Sequence, residues 1–191
     1  MWLNTLQHHP WPALQWGVVI GAALIGAVLD ARSQRISNRL TGPLLIGGLA
    51  VSTWVGGVPG LFDSLAGCCA LAAPYVLLFA LAGGGAGDAK LMGALGAWLG
   101  VVQGVVVLLA VALCGGLLAV GFALWRRRLG RTLGLVTHAA RAFSGFCVGA
   151  LSVRDAGAAF PTESEVQQMP YGPAIFLGVV FSAGGIWLWR I

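Results

Sequence analysis

The chemistry this sequence offers rests on two aspartates, Asp30 and Asp88. Each stands at the edge of an apolar stretch, where an ionisable side chain is costly and is read first as functional. Asp88 follows Gly83-Gly84-Gly85-Ala86-Gly87 and precedes Ala89-Lys90. Asp30 ends an apolar stretch and is followed by Arg32, Arg35 and Arg39. Two carboxylates that meet in a secluded site are the minimum equipment for peptide hydrolysis. One takes a proton from water while the other protonates or polarises the scissile carbonyl. Held close together, two such groups titrate separately.

Each residue also has a plain structural reading. Asp30 serves equally well as an interfacial acid paired with Arg32 or Arg35. Gly-x-Gly-Asp is a weak signal in a chain with 30 glycines. Lys90 reads as a cation reaching for lipid headgroups. Asp63 lies beside the Gly56-Gly57-Val58-Pro59-Gly60 turn and reads as interfacial or as a helix cap. His8, His9 and His138 have no ligand-like companions, and no cysteine pair forms C-x-x-C. Cys68, Cys69 and Cys114 read as small packing residues. Neither a metal nor another cofactor is expected.

The elements that must position the aspartates are membrane helices. Of 191 residues, 58% are hydrophobic and 9% charged, with a mean hydropathy of +0.87. That composition belongs to an integral membrane protein. The predicted fold is all-α, one polytopic bundle of about six transmembrane helices forming a single domain over residues 1–191. The spans fall near residues 13–29, 40–54, 61–81, 88–100, 104–125 and from Pro173 onward. The stretch 88–125 is too long for one crossing and is divided near Gly100 to Gly104. The N-terminus has neither a charged n-region nor a cleavage site, so the first span reads as a retained helix. Trp11 and Trp16 are expected in an interfacial belt. Residues 126–170 open with Arg126-Arg127-Arg128 and form a cytoplasmic loop, either a basic amphipathic helix on an anionic leaflet or a solvated connector.

Charge sets the orientation. With six spans, all of the 11 Lys and Arg except Arg190 fall on one side. That side is cytoplasmic, which leaves both termini on the opposite face. The net charge of +5 is therefore a topology signal and not a nucleic-acid footprint. Asp30 and Asp88 both come to the cytoplasmic face. Asp30 closes a helix and Asp88 opens one, so the helix dipoles make Asp88 the base and Asp30 the acid of the resting pair.

Three stretches together resemble type IV prepilin peptidases. Gly85-Ala86-Gly87-Asp88-Ala89-Lys90-Leu91 is similar to that family's Gly-x-Gly-Asp-x-Lys-Leu signature. The stretch from Asp30 through Arg32, Arg35, Ile36, Ser37 and Asn38 to Leu40-Thr41 resembles its first aspartate motif. Met169-Pro170-Tyr171-Gly172-Pro173-Ala174-Ile175 resembles the segment before its last helix. The resemblance implies an aspartic endopeptidase of the bacterial inner membrane that cuts the basic leader from prepilins or pseudopilins, for pilus assembly or type II secretion. It implies Asp30 and Asp88 as the catalytic pair. Gly85, Gly87, Lys90, Asn38, Pro170, Gly172 and Pro173 carry over as motif support or substrate contacts. The expected partners are a prepilin substrate and membrane lipids.

Two departures stand out. Ser37 replaces the family's usual proline, which predicts a less rigid loop after Asp30. The cysteine-rich insertion of many members, which also N-methylate the mature pilin, does not occur between Asp30 and Thr41. This points to a small peptidase-only member. A bifunctional peptidase and N-methyltransferase is the alternative, and composition alone also permits a proton-coupled transporter using the two aspartates as a relay. Small residues Gly93 and Gly96 read as a helix-packing face, with a substrate-facing role as the second option.

Overall fold

Backbone in hydrocarbon must satisfy its own hydrogen bonds, which favours helices. The computed structural model describes residues 11–33, 36–82, 86–125 and 171–188, and nearly all of these are helical. Helix α1 is Trp11–Ser33, α2 Asn38–Ala82, α3 Ala86–Trp125 and α4 Gly172–Leu188. Three stretches, Ala13–Ser33, Asn38–Ala80 and Ala86–Gly121, are long and apolar enough to cross a membrane, and Gly172–Ile186 is a shorter apolar helix. The predicted cytoplasmic loop at 126–170 lies outside the described residues.

Helix α2 has 45 residues and α3 has 40. Unbroken, each would run about 60 Å or more, twice the hydrocarbon core. Each is interrupted by one glycine at positive φ, Gly57 at 61° and Gly100 at 68°. With ψ of −147° and −172°, both occupy backbone space that is essentially restricted to glycine. The chain folds back at each break. A Cβ on Gly60 would run into the Ser52 backbone, although eight residues of straight helix would hold the two about 12 Å apart. Pro59 opens the second leg of α2, where its missing N–H costs little. In α3, Gly96 and Gly104 meet Gly67 and Leu71 of that same leg, on either side of the break. These breaks lie where the glycine turn and the overlong apolar stretch place them in the sequence.

A break in a helix frees backbone groups that must find partners. At Gly100 three of them do so through side chains. In an intact helix Val101 N would donate to Ala97 O; instead it donates to Asp63 Oδ1 at 3.2 Å. The Ala97 carbonyl accepts from buried Ser64 Oγ at 2.6 Å and from Ser52 Oγ at 3.3 Å. The Trp98 carbonyl accepts from Gln15 Nε2 of α1. Trp98 Nε1 donates to Leu44 O at 2.7 Å, joining the first leg of α2. Asp63 is thus the helix cap that its position beside the turn suggested.

The first leg of α3, residues 86–99, is the axis of the bundle. Leu91, Met92, Ala94, Leu95, Ala97 and Leu99 are all buried. At about 1.5 Å per residue it is about 20 Å long, shorter than a bilayer core. Both legs of α2 flank it, and α1 and α4 pack on each other and on α3. Gly93 lies against Cys68 and Ala72, and Gly96 against Gly67, so these glycines serve bundle packing. Trp16 is buried in the core with Val19, Ile175 and Val179, so it is not an interfacial belt residue. Its indole fills space between helices that a smaller side chain would leave empty.

Candidate active site

Asp30 lies in the last part of α1 and is buried, at 8% exposure. A buried carboxylate needs donors. It receives one from an element 142 positions away: Gly172 N donates to Asp30 Oδ2 at 2.7 Å. Helix α4 begins here, with the Tyr171 carbonyl accepting from Ala174 N at 3.0 Å and Ile175 N at 3.2 Å. The first amides of a helix have no intrahelical acceptor, and Asp30 takes one of them. The contact requires glycine. A Cβ at Gly172 would stand 2.8 Å from both Asp30 Cβ and Ala27 Cα. Pro173 sits in the first turn of α4, as expected.

Asp88 lies in the first turn of α3 and is half-buried. Its carboxylate is close enough to Asp30 to feel that group's charge. The two acids are therefore brought to one end of the bundle, away from the Gly57 and Gly100 breaks. Both tyrosines of the chain, Tyr75 and Tyr171, come to the same place. Their rings meet edge to face, with centroids 6.1 Å apart and planes at 67°, and both lie within electrostatic reach of Asp88.

The connection between α1 and α2 lies against the start of α3. Ser37 caps α2: its Oγ accepts from Arg39 N at 3.2 Å, and its carbonyl accepts from Leu40 N at 3.0 Å. The serine that replaces the expected proline thus supplies a helix cap, a local order that a missing ring alone does not reveal. Buried Ile36 packs on Gly87, where a Cβ would stand 3.1 Å from the Ile36 Cβ. Lys90 Nζ donates to Asn38 Oδ1 at 3.0 Å across 52 residues of sequence. Lys90 therefore has a protein partner and is not simply reaching for headgroups. Gly85 and Pro170 lie outside the described residues.

The dipole ranking of the two acids counted only their own helices. Asp30 also stands at the positive end of α4 through Gly172, so α1 alone no longer decides which acid is the resting base. Sequence reasoning named Ile36 and Tyr171 only as members of motifs, without a role, and gave Tyr75 none. One signal was available for the tyrosines: there are only 2 in the chain, one in a span and one beside Gly172.

Residues 17–120 match the model of the type IV leader peptidase family. The chain is 34% identical over 123 residues to a prepilin leader peptidase/N-methyltransferase of Aeromonas hydrophila, with 58% of this chain and 42% of that protein covered. It is 34% identical over 122 residues to the protein of the same name from Aeromonas salmonicida (strain A449), at the same coverage. The chain thus spans well under half the length of these relatives. No solved structure matches the chain.

Proposed function

Because this chain belongs to the type IV leader peptidase family, we propose that it is an intramembrane aspartic endopeptidase with Asp30 and Asp88 as its catalytic pair. Its substrates are prepilins or pseudopilins, whose basic leader it removes at the cytoplasmic face of a bacterial inner membrane, in support of pilus assembly or type II secretion. The observation that carries this reading is the placement of Asp30 and Asp88 at one end of the bundle, with Gly172 N on Asp30 and Gly87, beside Asp88, packed on Ile36. The six helical segments between the described ends and the two glycine breaks support a six-span protein with both termini on the far face.

The reaction follows aspartic peptide hydrolysis. The ionised carboxylate takes a proton from water as the oxygen attacks the scissile carbonyl carbon. The protonated partner gives its proton to the carbonyl oxygen, forming a gem-diol. On collapse the C–N bond breaks, the first carboxyl protonates the leaving amine, and a gem-diol hydroxyl returns its proton to the second carboxylate. The burial of Asp30 and half-burial of Asp88 lower the local dielectric, which strengthens the hydrogen bonds of these transfers. The names of the Aeromonas relatives join peptidase to N-methyltransferase. The paired acids support the peptidase half, and this sequence has no C-x-x-C motif for the other.

Purified protein mixed with a candidate prepilin tests the proposal through a mobility shift. Wild type is expected to cut, while Asp30→Asn and Asp88→Asn each fold and fail. Cleavage that survives either change removes that residue from the pair.

A further inference from the structure

Two contacts flank Asp88, and both reach the same short connection between α1 and α2. One residue before it, Gly87 carries Ile36 against its backbone. Two residues after it, Lys90 donates to Asn38. Ile36 and Asn38 lie on either side of Ser37, the cap of α2. Asp30 is on the other side of that connection, in α1. The chain leaving Asp30 is therefore pinned to the chain entering Asp88 at two points.

The position of Lys90 on its helix separates this contact from chemistry on the substrate. Residues two apart on a helix do not share a face, so Lys90 points away from the side that carries Asp88. Its Nζ lies on the outer surface, where both it and Asn38 are exposed. A surface hydrogen bond adds little to global stability. Its leverage is geometric: the first turn of α3 follows a glycine run, and Lys90 ties its outer face to the start of α2. Misplacing a catalytic group by about 1 Å costs about 10²-fold in rate.

We propose that Lys90 and Asn38 form a clamp that, with the Ile36–Gly87 contact, sets the approach of Asp88 to Asp30. Lys90 is then a positioning residue that touches neither substrate nor the reacting atoms. The proposal rests on Asp30 and Asp88 being the catalytic pair.

A double-mutant cycle in the full-length protein tests it, with purified prepilin cleavage as the assay and wild type, Asp30→Asn and Asp88→Asn alongside. If wild type does not cut, or either Asn variant does, the underlying pair fails and the clamp with it. With the pair intact, Lys90→Ala and Asn38→Ala are each expected to lower kcat by about 10²-fold, with KM within about twofold. The double variant should be no worse than either single one, because the two act through one contact. Asn38→Asp, which offers Lys90 a charged acceptor, should keep near wild-type kcat. Additive losses, a loss confined to KM, or wild-type kcat in Lys90→Ala would overturn the clamp. Should an alanine variant fail to fold, the exchange N38K/K90N carries the test, since it restores donor and acceptor in reverse. Recovery of kcat over N38K and K90N alone supports the clamp, and no recovery overturns it.

Discussion

The backbone amide of Gly172 donates a 2.7 Å hydrogen bond to Oδ2 of Asp30. The start of the last helix thus orients a carboxylate at the end of the first. This contact depends on the absence of a side chain at 172, since a Cβ would lie 2.8 Å from Asp30 Cβ.

Gly172→Ala is therefore expected to push α4 away from α1 at the site. Overpacking of this kind costs about 1–3 kcal/mol, to be read from thermal unfolding in detergent. Prepilin cleavage should fall more steeply than stability, because the lost contact is on the proposed catalytic carboxylate itself. A variant with wild-type unfolding and wild-type cleavage would show that the close approach is dispensable.

Asp30→Asn and Asp30→Ala should separate chemistry from folding. Asparagine keeps an oxygen for the Gly172 amide, so the protein remains folded while cleavage is lost. Alanine leaves that amide buried without a partner, which costs about 1–3 kcal/mol in addition. The comparison is made by unfolding midpoints of the two variants, and equal midpoints would deny the hydrogen bond a structural role.

The two breaks should respond differently to alanine. Both glycines occupy glycine-only backbone, a strain of about 1–3 kcal/mol for any other residue. Around Gly57 the nearest atom to a new Cβ is Pro59 Cδ at 4.0 Å, whereas at Gly100 the Cβ would overlap the Asp63 carboxylate. Gly100→Ala is expected to be clearly the more destabilising, and to reduce yield of folded protein. Equal effects on the unfolding midpoint would contradict this.

Caps at Gly100 and at α2 should each be measurable away from the chemistry. Asp63→Ala removes the acceptor of Val101 N, and Ser37→Ala removes the acceptor of Arg39 N. Each is expected to cost about 1 kcal/mol. Asp63→Ala should leave kcat unchanged, because it sits at the end of the bundle opposite Asp30 and Asp88. A fall in kcat for that variant would mean that the two ends are coupled.

Much of this molecule follows from local physics and is written in its sequence. Apolar stretches in this proportion must become membrane helices, because only helices satisfy their own backbone there. A stretch twice the bilayer in length must break, and Gly57 and Gly100 are residues able to adopt the required φ. Asp30 and Asp88 stand out because charge beside apolar sequence is costly. Other features needed the tertiary structure. Nothing local to Asp30 announces Gly172, nor does Lys90 announce Asn38, because those contacts join elements 142 and 52 positions apart. The burial of Trp16 and the orphan groups at Gly100 finding Ser64, Ser52 and Gln15 are of the same kind. Periodicity and hydropathy say that a residue faces the bundle or the lipid, but the side chain it meets is chosen by how the helices pack. Hydropathy and glycine placement account for the helices and their breaks, and the cost of charge beside apolar sequence marks the two acids. The packing of α4 on α1, and of the α1–α2 connection on α3, decided what holds those acids in place.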